Sequence, residues 1–322
     1  MTQATTYAFN GDADGLCALQ QLRLAEPGEA TLVTGVKRDI QLLQRVQAGA
    51  GERVTVLDIS ADSNREALLE LLARGAEVRY FDHHHAGELP QQPNFASYID
   101  TAADVCTSVL VDRYLQGRHR RWALTAAFGD SLPAVGEALA REAGLDEAST
   151  RRLEQLGIAL NYNAYGESLS DLHFDPAALA EAMLPYADPL AFAADSPVFQ
   201  QLWQGYETDM AEAARLAPAR ECAGATMLVL PDAAWARRII GVLANDLMHA
   251  KPGQAIALLS PKSRGGYTVS LRVPKQSKLG ADEFCLQFPT GGGRRGAGGI
   301  NLLPDAALGD FADRFERAFA TA

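Results

Sequence analysis

The first hundred residues alternate short β-like runs with helical patterns, and this alternation restricts the fold more than any other feature. Apolar runs rich in β-branched and aromatic residues cover 6–9, 30–34, 53–57, 78–81 and 97–99. Helical patterns lie between them at 16–24, 40–46 and 65–74. Strands that alternate with helices predict an α/β fold, with a mostly parallel sheet covered on both faces.

The rest of the chain predicts a helical region followed by a second, smaller α/β domain. Residues 105–160 are helical, with breaks at Pro133 and Gly144, and an alanine-rich helical stretch covers 196–216. Strand patterns follow at 226–230, 255–259 and 267–273, with helical patterns at 235–250 and 306–320. With 322 residues, the chain is long enough for two domains. We predict an N-terminal domain over 1–190, a helical linker over 191–217 and a C-terminal domain over 218–322, with a cleft between the two domains.

Composition narrows the partners that a chain like this can bind. The formal net charge is −11, which disfavours long duplex nucleic acid, because affinity for a duplex comes from many Lys and Arg contacts to phosphates. The four cysteines form no C-x-x-C pair, and we expect reduced thiols. We see no signal-peptide pattern and no apolar run near the roughly 20 residues that span a bilayer. We therefore expect a cytoplasmic protein with no membrane partner.

Acidic and histidine residues follow several of the apolar runs. The segments are "AFNGDADG" with Asn10, Asp12 and Asp14, "VTVLDIS" with Asp58, "VRYFDHHHAG" with Asp82, His83 and His84, and "TAAFGDSLP" with Asp130. The first three segments lie at the carboxyl ends of predicted parallel strands, where ligands bind in such sheets. Carboxylates and imidazoles suit divalent ions such as manganese, iron or zinc. The set is large enough for two ions that share a bridging carboxylate.

Simpler interpretations of these segments remain open. Asp12 and Asp14 could be turn and N-cap residues, and Asp58 could cap a helix. The "NGDADG" segment only partly fits an EF-hand, since Asn10 replaces the first aspartate and Gln21 stands where the bidentate glutamate belongs. Three histidines directly after Asp82 are harder to explain as surface residues, and they favour a metal or catalytic role.

A glycine-rich run, "PTGGGRRGAGGIN", lies near the end of the chain. It contains G-x-G-x-x-G, but a helical pattern precedes it and the sequence soon ends, so it does not fit the dinucleotide-binding motif. We expect a loop whose backbone amides, with Arg294 and Arg295, bind an anion. A flexible basic loop is the alternative.

Taken together, these segments resemble the DHH phosphoesterases, a family that includes RecJ-type exonucleases, nanoRNases, dinucleotide phosphodiesterases and manganese pyrophosphatases. The motifs of its N-terminal domain occur here in order as "NGDADG", "LDIS", "DHH" and "FGD". The C-terminal segments "VSLR" and "GGGRRGAGG" resemble the S-x-R strand and the G-G-G-H-x-x-A-A-G loop of the DHH-associated domain. The resemblance covers most of the chain and is weakest over 160–216.

The resemblance implies two divalent ions, with Mn²⁺ expected first and Mg²⁺ or Co²⁺ as substitutes. Asp12 would bind one ion and Asp14 the other, with Asp58 as the bridge. His83 and Asp130 would complete the second site. Asn10 is a further candidate for the first site, but it stands where relatives have His or Asp, which implies a neutral and weaker ligand.

The resemblance also implies residues that act on the substrate. His84 would face the scissile phosphate or the leaving group, and Asp82 would orient a histidine from behind. Substrate would be bound in the C-terminal domain by Arg272, Gly291, Gly292, Gly293 and Arg294. Arg294 stands where the family's loop carries His, so substrate choice does not follow from the family.

We therefore expect a hydrolase of phosphoric ester bonds, a phosphodiesterase or exonuclease-like enzyme, that acts on small nucleotides or short oligonucleotides. Within this class the nanoRNase, dinucleotide and bisphosphate-nucleotide activities all stay open, and so does a homodimer. One alternative is a polyphosphate or pyrophosphate hydrolase, although Lys37 and Arg38 are the only basic pair near the motifs. Another is a nucleotide-binding regulatory protein that has lost the first metal site through Asn10.

Overall fold

The computed structural model describes residues 3–320. The chain divides into two compact units, Met1–Gly205 and Tyr206–Ala322. We describe the units separately, and the finer division into 1–190, 191–217 and 218–322 stays a prediction. Within residues 3–320 no helix is long and apolar enough to cross a membrane. All four cysteines are free thiols.

The first unit is built on the parallel sheet that the sequence predicts. Its strands are β1 (Thr5–Phe9), β2 (Thr31–Val33), β3 (Arg53–Leu57), β4 (Glu77–Asp82) and β5 (Phe95–Ile99). They are hydrogen-bonded in the order β2-β1-β3-β4-β5, and every neighbouring pair is parallel. The α/β prediction is therefore confirmed for this part of the chain.

Among the described residues, nine helices lie in or begin in the first unit. They are α1 (Ala13–Ala25), α2 (Arg65–Ala73), α3 (Thr107–Tyr114), α4 (Arg120–Gly129), α5 (Pro133–Glu142), α6 (Glu147–Tyr162), α7 (Pro176–Met183), α8 (Pro189–Asp195) and α9 (Pro197–Ala213). Four of them begin at a proline, which suits the first helical turn because its missing N–H would be unpaired there anyway. Helix α9 contains the boundary between the units.

The two faces of the sheet are covered by different groups of apolar residues. Side chains alternate along a strand, so Phe9 and Phe81 pack with α1, α3 and α4, while Val56 and Tyr80 pack on the opposite face with α2. Both faces are buried, as expected for a parallel sheet.

The helix predicted over residues 40–46 is wrong, because the segment forms only a short 3₁₀ turn, Leu42–Arg45. The side chain of Asn64 holds its backbone: the amide nitrogen donates to the Ile40 carbonyl at 2.6 Å, and the Leu43 N–H donates to the amide oxygen at 3.2 Å. Leu42 and Leu43 are buried, so the helix-like apolar pattern reflects an irregular segment that packs on the core.

The second unit contains a mixed sheet. Its strands are β6 (Arg220–Cys222), β7 (Ala225–Val229), β8 (Ala255–Pro261), β9 (Tyr267–Arg272), β10 (Gly291–Arg294) and β11 (Ala297–Leu303). Its helices are α10 (Ala234–Ala250), α11 (Ala281–Cys285) and α12 (Leu308–Phe319). The strand order is β10-β11-β9-β8-β7-β6, and β7 and β8 form the parallel pair, joined by α10. Phe284 of α11 packs against Phe311, Phe315 and Phe319 of α12.

The glycine-rich run is a β-hairpin, so the predicted loop is wrong. Gly291 pairs with Ile300 and Arg294 with Ala297 across β10 and β11. Glycine is required at 291 because a Cβ there would lie 1.8 Å from the Cys285 carbonyl oxygen. The low β-propensity of glycine hides this hairpin from a sequence pattern, whereas the close backbone packing makes glycine necessary.

Candidate metal centre

Three neighbouring strands of the first unit end at the same level. Phe9 pairs with Leu57, and Leu57 with Phe81. The residues that follow, Asn10 and Asp58, continue the pairing: the Asn10 N–H donates to the Leu57 carbonyl at 3.2 Å and the Asp58 N–H to the Phe81 carbonyl at 3.0 Å. The predicted gathering of the motifs at the carboxyl ends of the strands therefore follows from the register.

Asp12 caps helix α1 with one oxygen and contacts a lysine with the other. Its Oδ1 accepts hydrogen bonds from the N–H groups of Asp14 at 3.0 Å and Gly15 at 3.1 Å, so the N-cap interpretation holds for this oxygen. A Cβ on Gly15 would lie 2.1 Å from the Asn10 carbonyl oxygen, so the turn needs glycine there. The other carboxylate oxygen of Asp12, Oδ2, accepts a hydrogen bond from the Lys37 ammonium.

The carboxylate of Asp14 is fastened to the first turn of helix α3. Its Oδ2 accepts from the Thr107 N–H and its Oδ1 from the Ser108 N–H, both at 2.7 Å. The Ser108 hydroxyl donates to the Asp14 carbonyl at 2.8 Å. Negative charge is favoured at a helix N-terminus. Asp14 is therefore held in one orientation by a helix that begins 93 residues later in the chain.

Asp58 lies in the left-handed region of backbone conformation, with φ of +59°. Few residues other than glycine adopt it readily, and aspartate and asparagine are among those that do. Burial raises the pKa of the Asp58 carboxyl well above its usual range, and the charges of Asp12 and Asp14 raise it further. Its Oδ1 accepts from the Thr107 hydroxyl at 3.2 Å. Strained residues of this kind concentrate at functional sites.

His83 is oriented so that one ring nitrogen faces the carboxylates. Its Nδ1 lies 2.8 Å from the Val105 carbonyl oxygen, so Nδ1 carries a proton and donates it. Its Nε2 lies 3.4 Å from Asp58 Oδ1 and 3.9 Å from Asp130 Oδ2. Burial alone would lower the pKa of His83, but the hydrogen bond with Asp58 and the charges of Asp58, Asp14 and Asp130 together outweigh it and raise the pKa to about 10. Histidines that bind metals commonly donate their other N–H in this way.

Asp82 and His84 form a pair at the end of β4. The Nδ1 atom of His84 lies 2.7 Å from Asp82 Oδ1. Asp82 is completely buried, whereas the His84 side chain is 41% exposed. Oδ2 of Asp82 has no hydrogen-bond partner within residues 3–320. The exposed side chain of His84 can therefore reach a ligand while the buried carboxylate fixes its orientation.

The side chains of the motifs form two groups that could hold a metal ion. Asp58, His83 and His84 make one group, and His83 with Asp14 and Asp130 makes the other. Within each group the ligand atoms lie within 4.8 Å of one another. The donor set of carboxylate oxygens and imidazole nitrogen fits Mn²⁺ or a similar divalent ion. Burial raises the pKa of Asp130, and the charge of Asp14 adds to this, although Lys37 opposes it.

Asn10 and Lys37 lie beside these groups. The Asn10 Oδ1 atom is buried and has no hydrogen-bond partner in the described part of the chain, so an oxygen donor is available there. The Lys37 ammonium contacts Asp12 and donates to Asn161 Oδ1 at 3.2 Å. Burial alone would lower the pKa of Lys37, but Asp12, together with Tyr165 and Asp130, raises it well above its usual range.

The sequence identified Lys37 only as one of two basic residues near the motifs and did not predict its contact with Asp12. The ordering of β2 beside β1 in a parallel sheet was the available signal, since Lys37 follows β2. Thr107 and Ser108 were missed because nothing in their sequence context points to Asp14.

The substrate-binding residues expected in the second unit lie on two strands, β9 and β10, that flank β11. Arg272 and Arg294 both pair with Ala297 of β11, one from each side. Paired residues share a face of the sheet, so the two arginines lie on one face, about 10 Å apart at the usual strand spacing. The Arg272 guanidinium donates to Asn245 Oδ1 at 2.7 Å and to Ser270 Oγ at 3.2 Å.

No protein-family model matches this sequence, and no curated protein does. Solved structures do match. An exonuclease RecJ bound to manganese is 17% identical over 98% of this chain and 89% of that chain, with a TM-score of 0.60. RecJ from Thermus thermophilus in complex with Mn²⁺ is 19% identical, with a TM-score of 0.63. The match covers 98% of this chain and 51% of that one, so the chain spans about half the length of that relative.

A third match is a pGpG-specific phosphodiesterase from Vibrio cholerae. It is 17% identical over 98% of this chain and 97% of that chain, with a TM-score of 0.55. Identities this low show the fold and not the substrate. The structural relatives agree with the resemblance that the motifs carry, and the chain therefore has the fold of the RecJ-type DHH phosphoesterases.

Proposed function

We propose that this chain is a metal-dependent phosphoesterase that hydrolyses phosphate esters of small nucleotides or short oligonucleotides. One observation carries the proposal: Asp14, Asp58, His83 and Asp130, which come from four separate segments, converge in one cluster of ligand atoms, and all of them except the partly exposed Asp130 are buried. Buried carboxylates that lie together without a cation are strongly destabilising. The RecJ structures with manganese, which share this fold, support the same chemistry.

The proposed centre holds two divalent ions, with Mn²⁺ preferred because His83 offers a nitrogen ligand. Asp14, His83 and Asp130 would hold one ion, Asp12 with Asn10 the other, and Asp58 would bridge them. Bound divalent ions supply charge neutralisation at the phosphate and a water of lowered pKa. The protein supplies the orientation: α3 fixes Asp14, and the Val105 carbonyl fixes the ring of His83.

His84 is the proposed contact to the scissile phosphate or the leaving oxygen. With Nδ1 hydrogen-bonded to Asp82, the imidazole can present Nε2 to the substrate as a hydrogen-bond donor when it is protonated. The carboxylate fixes the orientation of the ring, as a buried aspartate does behind a catalytic histidine. In this proposal Asp82 is a positioning residue and His84 acts on the substrate.

The proposed substrate is small. The net charge of −11 disfavours a long duplex, and one relative with this fold is a pGpG-specific phosphodiesterase. We propose that Arg272, Arg294 and the amides of Gly291, Gly292 and Gly293 bind a phosphate that does not react. Arginine suits this role because its planar guanidinium binds phosphate with paired hydrogen bonds.

Two other functions are less well supported. Polyphosphate hydrolysis would need a dense set of cations, and Lys37, from the basic pair near the motifs, is already paired with Asp12. A regulatory protein without catalysis would not need the Asp14, His83 and Asp130 group, whose ligand atoms lie within 4.8 Å of one another.

The test is a screen of the purified chain with Mn²⁺ against pGpG, cyclic dinucleotides, short RNA and DNA oligonucleotides, bisphosphorylated nucleosides and polyphosphate. We expect hydrolysis of at least one nucleotide class, with Mn²⁺ superior to Mg²⁺, and a loss of roughly a hundredfold or more in Asp130→Asn. Arg151→Gln, in an exposed pair with Glu147, is the matched control. The proposal fails if polyphosphate alone is cleaved, or if no substrate is cleaved at any Mn²⁺ concentration.

A further inference from the structure

The two acidic residues of the first motif have different partners. Both oxygens of Asp14 accept hydrogen bonds from neutral backbone amides. Asp12 instead shares Oδ2 with the ammonium of Lys37. The carboxylate of Asp14 therefore keeps its full charge for a cation, whereas that of Asp12 is already neutralised by the chain itself.

Lys37 is held in place at several points. Its backbone N–H donates to the Ala164 carbonyl at 2.8 Å, and its side-chain ammonium donates to Asn161 Oδ1 at 3.2 Å. The ammonium also lies 5.5 Å from the centroid of the Tyr165 ring, a cation–π distance. The side chain is only 24% exposed. An exposed lysine loses little free energy when it leaves a carboxylate, but this one would leave three partners.

A divalent ion and an ammonium cannot both use Asp12 Oδ2 without strong repulsion, because like charges a few ångströms apart are poorly screened inside a protein. The neighbouring candidate ligand is Asn10, whose amide is neutral and adds no charge to offset that repulsion. The position beside Asp12 therefore has less negative charge than the position at Asp14 and Asp130, and a cation of the chain already occupies it.

We propose that Lys37 competes with the metal at Asp12, so that the two positions of the centre fill in sequence. The ion at Asp14, His83, Asp130 and Asp58 binds first and tightly. The ion at Asp12 binds only at higher metal concentration, when it displaces Lys37. This inference rests on the proposed two-ion centre, and it makes Lys37 the residue that sets the metal concentration at which the centre becomes complete.

The test measures Mn²⁺ binding to the full chain, by electron paramagnetic resonance of free Mn²⁺ and by titration calorimetry, without any substrate. For the native chain we expect two steps, the second weaker than the first by roughly tenfold or more. Lys37→Met should tighten the second step by about 10- to 100-fold, the range expected for removing one charge-assisted hydrogen bond. Lys37→Arg, which keeps the charge, should preserve the gap between the steps.

Lys251→Met is the matched control, because Lys251 pairs with Glu221 at 2.9 Å in the second unit and its loss changes the net charge equally. It should leave both steps unchanged. Because Lys37→Met could unfold the first unit, the shape of the Mn²⁺ titration of the native chain serves as a second test of the inference. Two equal steps in the native chain, or a second step that Lys37→Met does not tighten in folded protein, would overturn this inference alone. No Mn²⁺ binding to the native chain would overturn the proposed function with it.

Discussion

The Nδ1 atom of His84 lies 2.7 Å from Oδ1 of Asp82, a carboxylate that is completely buried at the end of β4. This pair places an imidazole beside the candidate metal centre, with its ring orientation fixed by the buried carboxylate. The role proposed for His84 would therefore depend on a residue that is itself buried.

Asp82→Asn should lower kcat by about 100-fold, at the lower end of what a general acid contributes. The change removes the carboxylate that accepts the His84 hydrogen bond, while the size of the side chain is kept. Bound Mn²⁺ should stay unchanged, because Asp82 belongs to neither metal-binding group. Steady-state kinetics and metal analysis check both expectations, and an unchanged kcat would remove His84 from the reaction.

Asp58→Asn and Asp58→Ala should both abolish turnover and lower bound metal, but they should differ in stability. Asparagine tolerates the φ of +59° at this position, whereas alanine is strained there by about 1–2 kcal/mol. Thermal unfolding should therefore give a melting temperature a few degrees lower for the alanine variant. Because both changes remove the carboxylate, the difference between their melting temperatures measures the cost of the backbone conformation at position 58. Full activity in either variant would end the two-ion proposal.

Metal affinity should rise with pH. Burial opposes protonation of His83, but the interactions with Asp58, Asp14 and Asp130 together outweigh it and hold the pKa of His83 at about 10. The imidazole is therefore protonated at neutral pH in the metal-free chain, and a metal must displace that proton from Nε2. Between about pH 6 and 8 we expect the apparent Mn²⁺ affinity to rise by about tenfold per pH unit, with about one proton released per tightly bound ion. Calorimetry in buffers of different ionisation enthalpy measures that proton. A pH-independent affinity would mean that His83 is not a ligand.

Asn10→Asp should tighten Mn²⁺ binding at the weaker site, because it replaces a neutral oxygen donor with a carboxylate at the end of β1. The buried Oδ1 of Asn10, which has no hydrogen-bond partner within residues 3–320, marks it as a candidate ligand. A titration of the weaker step checks this. If the affinity of that step does not change, Asn10 lies outside the coordination shell.

Arg294→Ala should lower kcat/KM by about 10- to 150-fold, mainly through KM, since a charge-assisted hydrogen bond is worth about 1.5–3 kcal/mol and a contact to a non-reacting phosphate is made equally in ground and transition states. Arg295→Ala is the comparison, because the Arg295 guanidinium donates to the Ser277 carbonyl at 2.8 Å. Its loss should affect the stability of the second unit more than KM. If both variants stay within about twofold of the native kcat/KM, the hairpin does not bind substrate.

Most of the site residues that could be predicted from the sequence lie next to a strand, whereas Asp130, which follows α4, was predicted from the resemblance of its motif. Phe9, Leu57 and Phe81 are paired in register, so the polar residues after them had to meet at one edge of the sheet. The contacts that could not be predicted join distant segments: Thr107 to Asp14 across 93 residues, and Lys37 to Asn161 across 124. No local pattern encodes such pairs, because each partner alone has an ordinary helix or loop context.

In the second unit, local sequence patterns predicted some strands but missed β10. The strands β8 and β9 were predicted because their apolar residues alternate or run continuously, but β10 consists of three glycines and an arginine. A strand of this composition is stabilised by backbone pairing and by tight packing under Gly291, where a Cβ would clash with Cys285. Propensity carries no information about such packing.

The attachment of Asp14 to the amides of Thr107 and Ser108 has a consequence for protein engineering. A designer who transplanted only the short motif segments into another parallel sheet would leave this carboxylate free to rotate. The smallest portable version of the centre must include the start of α3 in its native position, together with the chain that carries it there. Libraries that diversify residues 105–108 should accordingly lose metal binding almost as often as libraries that diversify the aspartates themselves.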